Sequence, residues 1–195
     1  MKMQRGMSII EILVVFCIIG IVMAFVGPSA GVWIQNTQLR NAAESVLSGV
    51  QQARLEAIKR NKPVMFRLTD AATTAWDICL YDPVTDTCSA AANATIADKS
   101  ASEGSQNARL ATETTIPPSP TTALSAGAGM PATVTFDSFG RQATTASSNF
   151  TRVDVRNTVM PAADERRLVI LVAAGGQIRM CDPKLSLATN PQGCV

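Results

Sequence analysis

The chain has 195 residues, enough for one ordinary domain or for a small domain with an anchor, and it contains no histidine. That removes the commonest general base and the commonest metal ligand. Lys2 and Arg5 supply the whole formal charge of +2, since beyond residue 6 acidic and basic side chains are equal in number; a strongly electrostatic role for the chain as a whole is therefore disfavoured.

Residues 1–6 form a short polar leader with two positive charges. The stretch "RGMSIIEILVVFCIIGIVMAFVGP", residues 5–28, reads as a membrane segment carrying one acid, Glu11, five residues after Gly6. A carboxylate in hydrocarbon needs a partner. None is available locally, because no basic residue lies between Arg5 and Arg40. An ordinary secretory signal ends in a small-residue cleavage site and is discarded. Here the apolar run passes Gly27-Pro28 into a helical pattern, so it is read as retained, with Cys17 a small buried hydrophobe within it.

From Leu39 the apolar positions Ala43, Val46, Val50, Ala53 and Ala57 follow every three or four residues, with Arg40, Glu44, Gln51 and Arg54 largely between them. This is an amphipathic helix with a narrow stripe of small residues. It should stop near Asn61-Lys62-Pro63. Joined to the apolar part it makes one helix of roughly 80 Å from about Ser8 to Arg60, which Pro28 should break or bend.

After Pro63 the period becomes two. Strands are predicted at 64–68, 76–81, 132–136, 151–156, 167–173 and 177–181. Gly175-Gly176 makes the turn of a final hairpin, and "DSFG" (137–140) makes another. Residues 89–130 are dominated by Ala, Ser, Thr and Pro and read as a surface insertion with little fixed structure. The expected organisation is a leader (1–6), a transmembrane and assembly helix (7–30), the amphipathic half of the helix (31–62) and a β-sheet head (63–195). The fold class is α+β: one long N-terminal helix packed on an antiparallel sheet.

Four cysteines lie in the polar part: Cys79, Cys88, Cys181 and Cys194. Three pairings are open, and the close spacings favour Cys79–Cys88 and Cys181–Cys194. Paired cysteines place this part in an oxidising compartment such as a periplasm. With no C-x-x-C and no His, no metal site is expected. "GAGM" (127–130) lacks the flanking strand, helix and Lys-Ser/Thr of a phosphate loop. Asp70, Asp82 and Asp86 lack calcium-loop spacing, and no His can activate a serine. No catalytic residue and no cofactor are expected.

The motif "RGMSIIEILVV" resembles the class III signal of type IV pilins and type II secretion pseudopilins. "AESVLSGVQQARLEAIKRNKPVMFRL", "VTFDSFGR" and "RLVILVAAGGQIRMC" are similar to the helix, mid-sheet hairpin and final hairpin of the GspH/FimT family of minor pilins and pseudopilins. Met7 stands where the family usually has Phe, and the likeness does not extend to residues 89–130. The resemblance implies a pilin-like fold, cleavage by a prepilin peptidase between Gly6 and Met7, and N-methylation of Met7. It also implies that Glu11 sets register by meeting a neighbour's new N-terminus, and that Pro28 is the helix-breaking proline. The partners implied are that peptidase, other pilins or pseudopilins and the bacterial inner membrane, crossed once with a cytoplasmic N-terminus and periplasmic head. Some FimT-like proteins bind DNA through a G-R-x-R hairpin. Here Gly176-Gln177-Ile178-Arg179 lacks the first arginine, which leaves Arg179, Lys184 and Arg141 as candidate DNA contacts in a less favoured alternative.

Overall fold

The computed structural model describes residues 8–194 apart from 71, 92, 101–105 and 147, and apart from the side chains of 24–29. A single helix, α1 (Ile9–Arg60), takes 52 residues. It ends at Asn61, whose left-handed backbone (φ 50°, ψ 40°) lets its N–H reach back to the carbonyls of Ala57 and Ile58. Asparagine tolerates that conformation better than most residues, and Pro63 prevents the helix from resuming. The break expected at Pro28 does not divide the helix into two elements. A proline removes one backbone hydrogen bond, and the turns on either side can continue along a straight or bent axis.

Nine strands follow among the described residues: β1 (Val64–Leu68), β2 (Trp76–Asp82), β3 (Thr87–Cys88), β4 (Thr95–Lys99), β5 (Ala108–Glu113), β6 (Ala132–Phe136), β7 (Arg152–Asn157), β8 (Leu168–Val172) and β9 (Ile178–Cys181). They form two sheets rather than the single sheet expected. One has the order β3-β2-β1-β6, with β4 also on β2; the other has the order β5-β7-β8-β9. Every strand pair is antiparallel, for example Val64 opposite both Leu80 and Phe136, and Val169 opposite Cys181.

Both sheets close over the second half of α1. Leu39, Ala43, Val46, Val50, Ala53 and Ala57 are fully buried and share one core with Phe66, Ile78, Val134, Phe150, Val153 and Ile170. The small stripe brings backbone and sheet close together. At Gly49 a Cβ would lie 2.7 Å from the Phe66 ring and 3.1 Å from Trp76. Side chains alternate on the strands as period two requires, and the inward valines of β7, Val153 and Val155, meet the helix side.

Residues 89–130, expected to hold little fixed structure, carry β4 and β5 and bury Ala108, Leu110 and Ala111. Their Gly-rich end is also paired. Gly127 N–H donates to the Leu110 carbonyl, and the Ala128 carbonyl accepts from Thr112 N–H, so 127–129 runs along the free edge of β5. The cysteines pair as Cys79–Cys88, joining β2 to β3, and Cys181–Cys194, joining β9 to the C-terminal segment. Cys17 is free and exposed, with nothing among the described residues covering it.

Candidate functional site

The first half of α1 is bare. Every described side chain from Ser8 to Met23 is exposed, including Ile9 (84%), Phe16 and Met23 (both 68%). Exposure of that much contiguous apolar surface marks a surface meant for lipid or for another protein. Glu11 lies in the first turn, where free backbone N–H groups favour a negative charge. Its carboxylate is exposed and has no side-chain partner among the described residues. Gly6 and Met7 lie outside the described residues. Among the described residues no helix is long and apolar enough to cross a membrane.

At the far end of α1 two turns lock together against the helix. Gly140 and Gly176 both have positive φ (75° and 82°), and a Cβ on Gly176 would lie 1.8 Å from the Gly140 carbonyl oxygen. That carbonyl accepts from Arg54 Nε at 2.9 Å, tying the β8–β9 turn and the 137–140 turn to the helix. The Asp137 carboxylate accepts from the N–H groups of Phe139 and Arg141, both at 2.9 Å, and from the Arg141 guanidinium. Burial pushes the Asp137 pKa up, but the N–H groups of Arg141 and Phe139 and the Arg141 charge outweigh it and hold the carboxyl below its ordinary range. Phe139 projects from this turn at 76% exposure, with the Arg141 guanidinium 5.3 Å from its ring centre.

The candidate DNA contacts are not brought together. Arg141 sits beside the β8–β9 turn. Lys184 lies at the opposite end of that hairpin, its Nζ donating to the carbonyls of Glu165 (2.8 Å) and Ala163 (3.3 Å). Arg179, on β9, donates to the Cys194 carbonyl at 3.0 Å. Each of the three makes a contact within the chain, and Arg141 remains 61% exposed.

Three further late arginines, Arg152, Arg156 and Arg167, face inward, which sequence reading missed, whereas Arg166 is 64% exposed. Arg152 and Asp154 are buried and paired at 2.6 Å, and Arg167 reaches the other oxygen of Asp154 at 2.6 Å. Other guanidinium N–H groups hold a strap of the former insertion, and Arg152 also pairs with Glu113 at 3.1 Å. Arg152 donates to the carbonyls of Ser119 and Thr122, Arg167 to those of Pro120 and Thr121, and Arg156 to that of Leu124. Asp154 accepts from Leu124 N–H at 3.1 Å. The signal was the alternation of "RVDVR": its valines face the core, and its charges share the other face, which the strap covers.

Asp70, Asp82 and Asp86 do not form a site. Asp70 and Asp82 accept from backbone N–H groups two residues ahead, and Asp86 accepts from the Tyr81 hydroxyl. Burial, with Asp86 alongside, pushes the Tyr81 phenol up. Among the described residues no group of side chains could hold a metal ion.

Structural comparison returns two crystal forms of the type IV minor pilin FimU of Pseudomonas aeruginosa. They cover 84% and 80% of this chain and 99% of FimU, at 16% identity, with TM-scores of 0.49 and 0.45. Among curated proteins no relative matches. The family model for "Type II transport protein GspH" matches residues 42–176, which take in most of the covered half of α1, strands β1 to β8 and the locked turns. The chain belongs to the GspH family.

Proposed function

We propose that this chain is a minor pilin or pseudopilin, a structural subunit that a prepilin peptidase cleaves after Gly6 and that then enters a type IV pilus or a type II secretion pseudopilus. The observation that carries the reading is the division of α1: its second half packs under the chain's own sheets, while its described residues from Ile9 to Met23 expose an apolar surface with one carboxylate, Glu11. In the inner membrane lipid covers that surface, with Lys2 and Arg5 on the cytoplasmic side. In a filament the helices of neighbouring subunits cover it. Glu11 then meets the α-amino group of a neighbour's Met7, and a mismatch that leaves either charge unpaired in an apolar bundle is expensive.

Glu11→Ala tests this. The variant should insert into membrane at least as well as the parent and be depleted from sheared filament fractions; equal incorporation would sink the register role. Intact mass of membrane-extracted protein tests processing, with the leader of residues 1–6 expected to be missing and one methyl group present on Met7.

A further inference from the structure

We propose that a groove at the base of the head holds the headgroup of an anionic phospholipid while the chain is in the membrane; this rests on the anchor reading above. The groove, of about 560 Å³, lies between α1 and the β8–β9 hairpin. Trp33, Asn36 and Arg40 line it from one face of the helix, and Arg166, Leu168 and Met180 from the sheet side. It opens where the bare half of α1 enters the head, so its apolar lining continues the exposed run that ends in Trp33 (70% exposed) and Ile34 (47%).

Three features select a headgroup over other occupants. An exposed indole at the end of an apolar helix suits the boundary between acyl chains and water, where its ring is apolar and its N–H is polar. Arg40 and Arg166 flank it with side chains 61% and 64% exposed. Each makes a single contact to a carboxylate, Arg40 to Glu44 at 2.8 Å and Arg166 to Asp182 at 3.4 Å. The Arg40–Glu44 pair, exposed on both sides, is weak, the contact of Arg166 to the buried Asp182 is long, and each guanidinium keeps further N–H donors in the planar fork that fits a phosphate. Asp182 also accepts from Lys184 N–H at 2.9 Å, so it stays hydrogen-bonded if Arg166 turns to a phosphate. The wall is fixed in advance. The Asn36 amide donates to the Asp164 carbonyl at 3.0 Å and accepts from Arg166 N–H at 2.9 Å. Two exposed guanidinium groups, each matched by only one carboxylate (Glu44 and Asp182), suit a phosphate-bearing headgroup and would oppose burial under a neighbour's apolar helix.

The test uses the full chain in phosphatidylcholine vesicles containing phosphatidylglycerol, with bromine on the acyl chains of one lipid or the other. Trp76 is buried, so quenching reports Trp33. Brominated phosphatidylglycerol should quench Trp33 beyond its mole fraction, with a local enrichment on the order of fivefold, as one or two well-placed arginines provide. The double variant Arg40→Gln, Arg166→Gln should lose the preference and still insert. Equal quenching by both lipids in the parent, or a preference that survives in the double variant, would overturn the groove and leave the anchor reading standing. Trp33 shielded from both lipids in an inserted oligomer would assign the groove to a neighbouring helix instead. A chain that stays out of both vesicles would overturn the anchor reading, and the groove with it.

Discussion

Gly175 and Gly176 are neighbours in one turn with opposite tolerances. A Cβ on Gly175 meets nothing within 4 Å, whereas on Gly176 it would strike the Gly140 backbone in a conformation with φ of +82°. Gly176→Ala should therefore cost roughly 2 kcal/mol or more, and Gly175→Ala within about 0.5 kcal/mol, read from urea midpoints. Asp154 is the second sensitive residue. Its removal leaves the buried Arg167 without a carboxylate and Arg152 with Glu113 alone, so Asp154→Ala should destabilise by about 3–5 kcal/mol in the same assay. Asp137 supplies a pH signature. Its folded pKa is depressed, so its contribution is complete above the unfolded value and lost as pH falls through the folded one. The stability gap between the parent and Asp137→Asn should be flat near neutrality and close below about pH 4.

Among the elements, those built on apolar periodicity were legible. The helix stripe from Leu39 to Ala57 and the strands at 64–68 and 132–136 stand where the pattern places them, and the remaining predicted strands differ by a residue or two at their ends. The failures share a cause. β5 is made of small and polar residues ("ARLATE"), and the strap after it contributes backbone carbonyls rather than side chains, so neither produces a hydrophobic signal. Pairing of strands into two sheets depends on long-range register, which local composition does not encode. If the arginines hold the strap, Arg167→Ala should make residues 114–131 cleave faster under limited proteolysis, while the sheet containing β1, β2 and β6 keeps its hydrogen-exchange protection. Equal cleavage rates would mean that the strap is held by other contacts. The bare half of α1 was equally plain from composition. Its charge partner was not, since Glu11 finds none within the described chain.

At the scale of the molecule, the near-balance of charge beyond residue 6 is carried into space as internal pairing. Arg152, Arg156 and Arg167 each meet a carboxylate behind the strap, Arg179 and Lys184 each meet carbonyls, and the exposed Arg166 stands apart from them beside Arg40 at the groove. Binding to duplex DNA gains chiefly from cations free to replace counterions on phosphate. The head, residues 31–195, should therefore bind labelled duplex weakly or not at all at physiological salt, and Gln177→Arg should strengthen and steepen whatever salt-dependent binding exists. Tight binding by the parent head, lost in Arg179→Ala, would make DNA uptake the better account of the protein.

The way the strap is held also bears on how this surface can change over generations. Arg152, Arg156 and Arg167 grip it at Ser119, Pro120, Thr121, Thr122 and Leu124 through carbonyl oxygens, and every amino acid carries that oxygen. Substitutions along the strap leave the grip in place, whereas each arginine and Asp154 has no chemical equivalent. The outer face of the head can thus drift in composition, and present new side chains to whatever it meets, while the positions that constrain it lie beneath the strap, on β7 and immediately before β8.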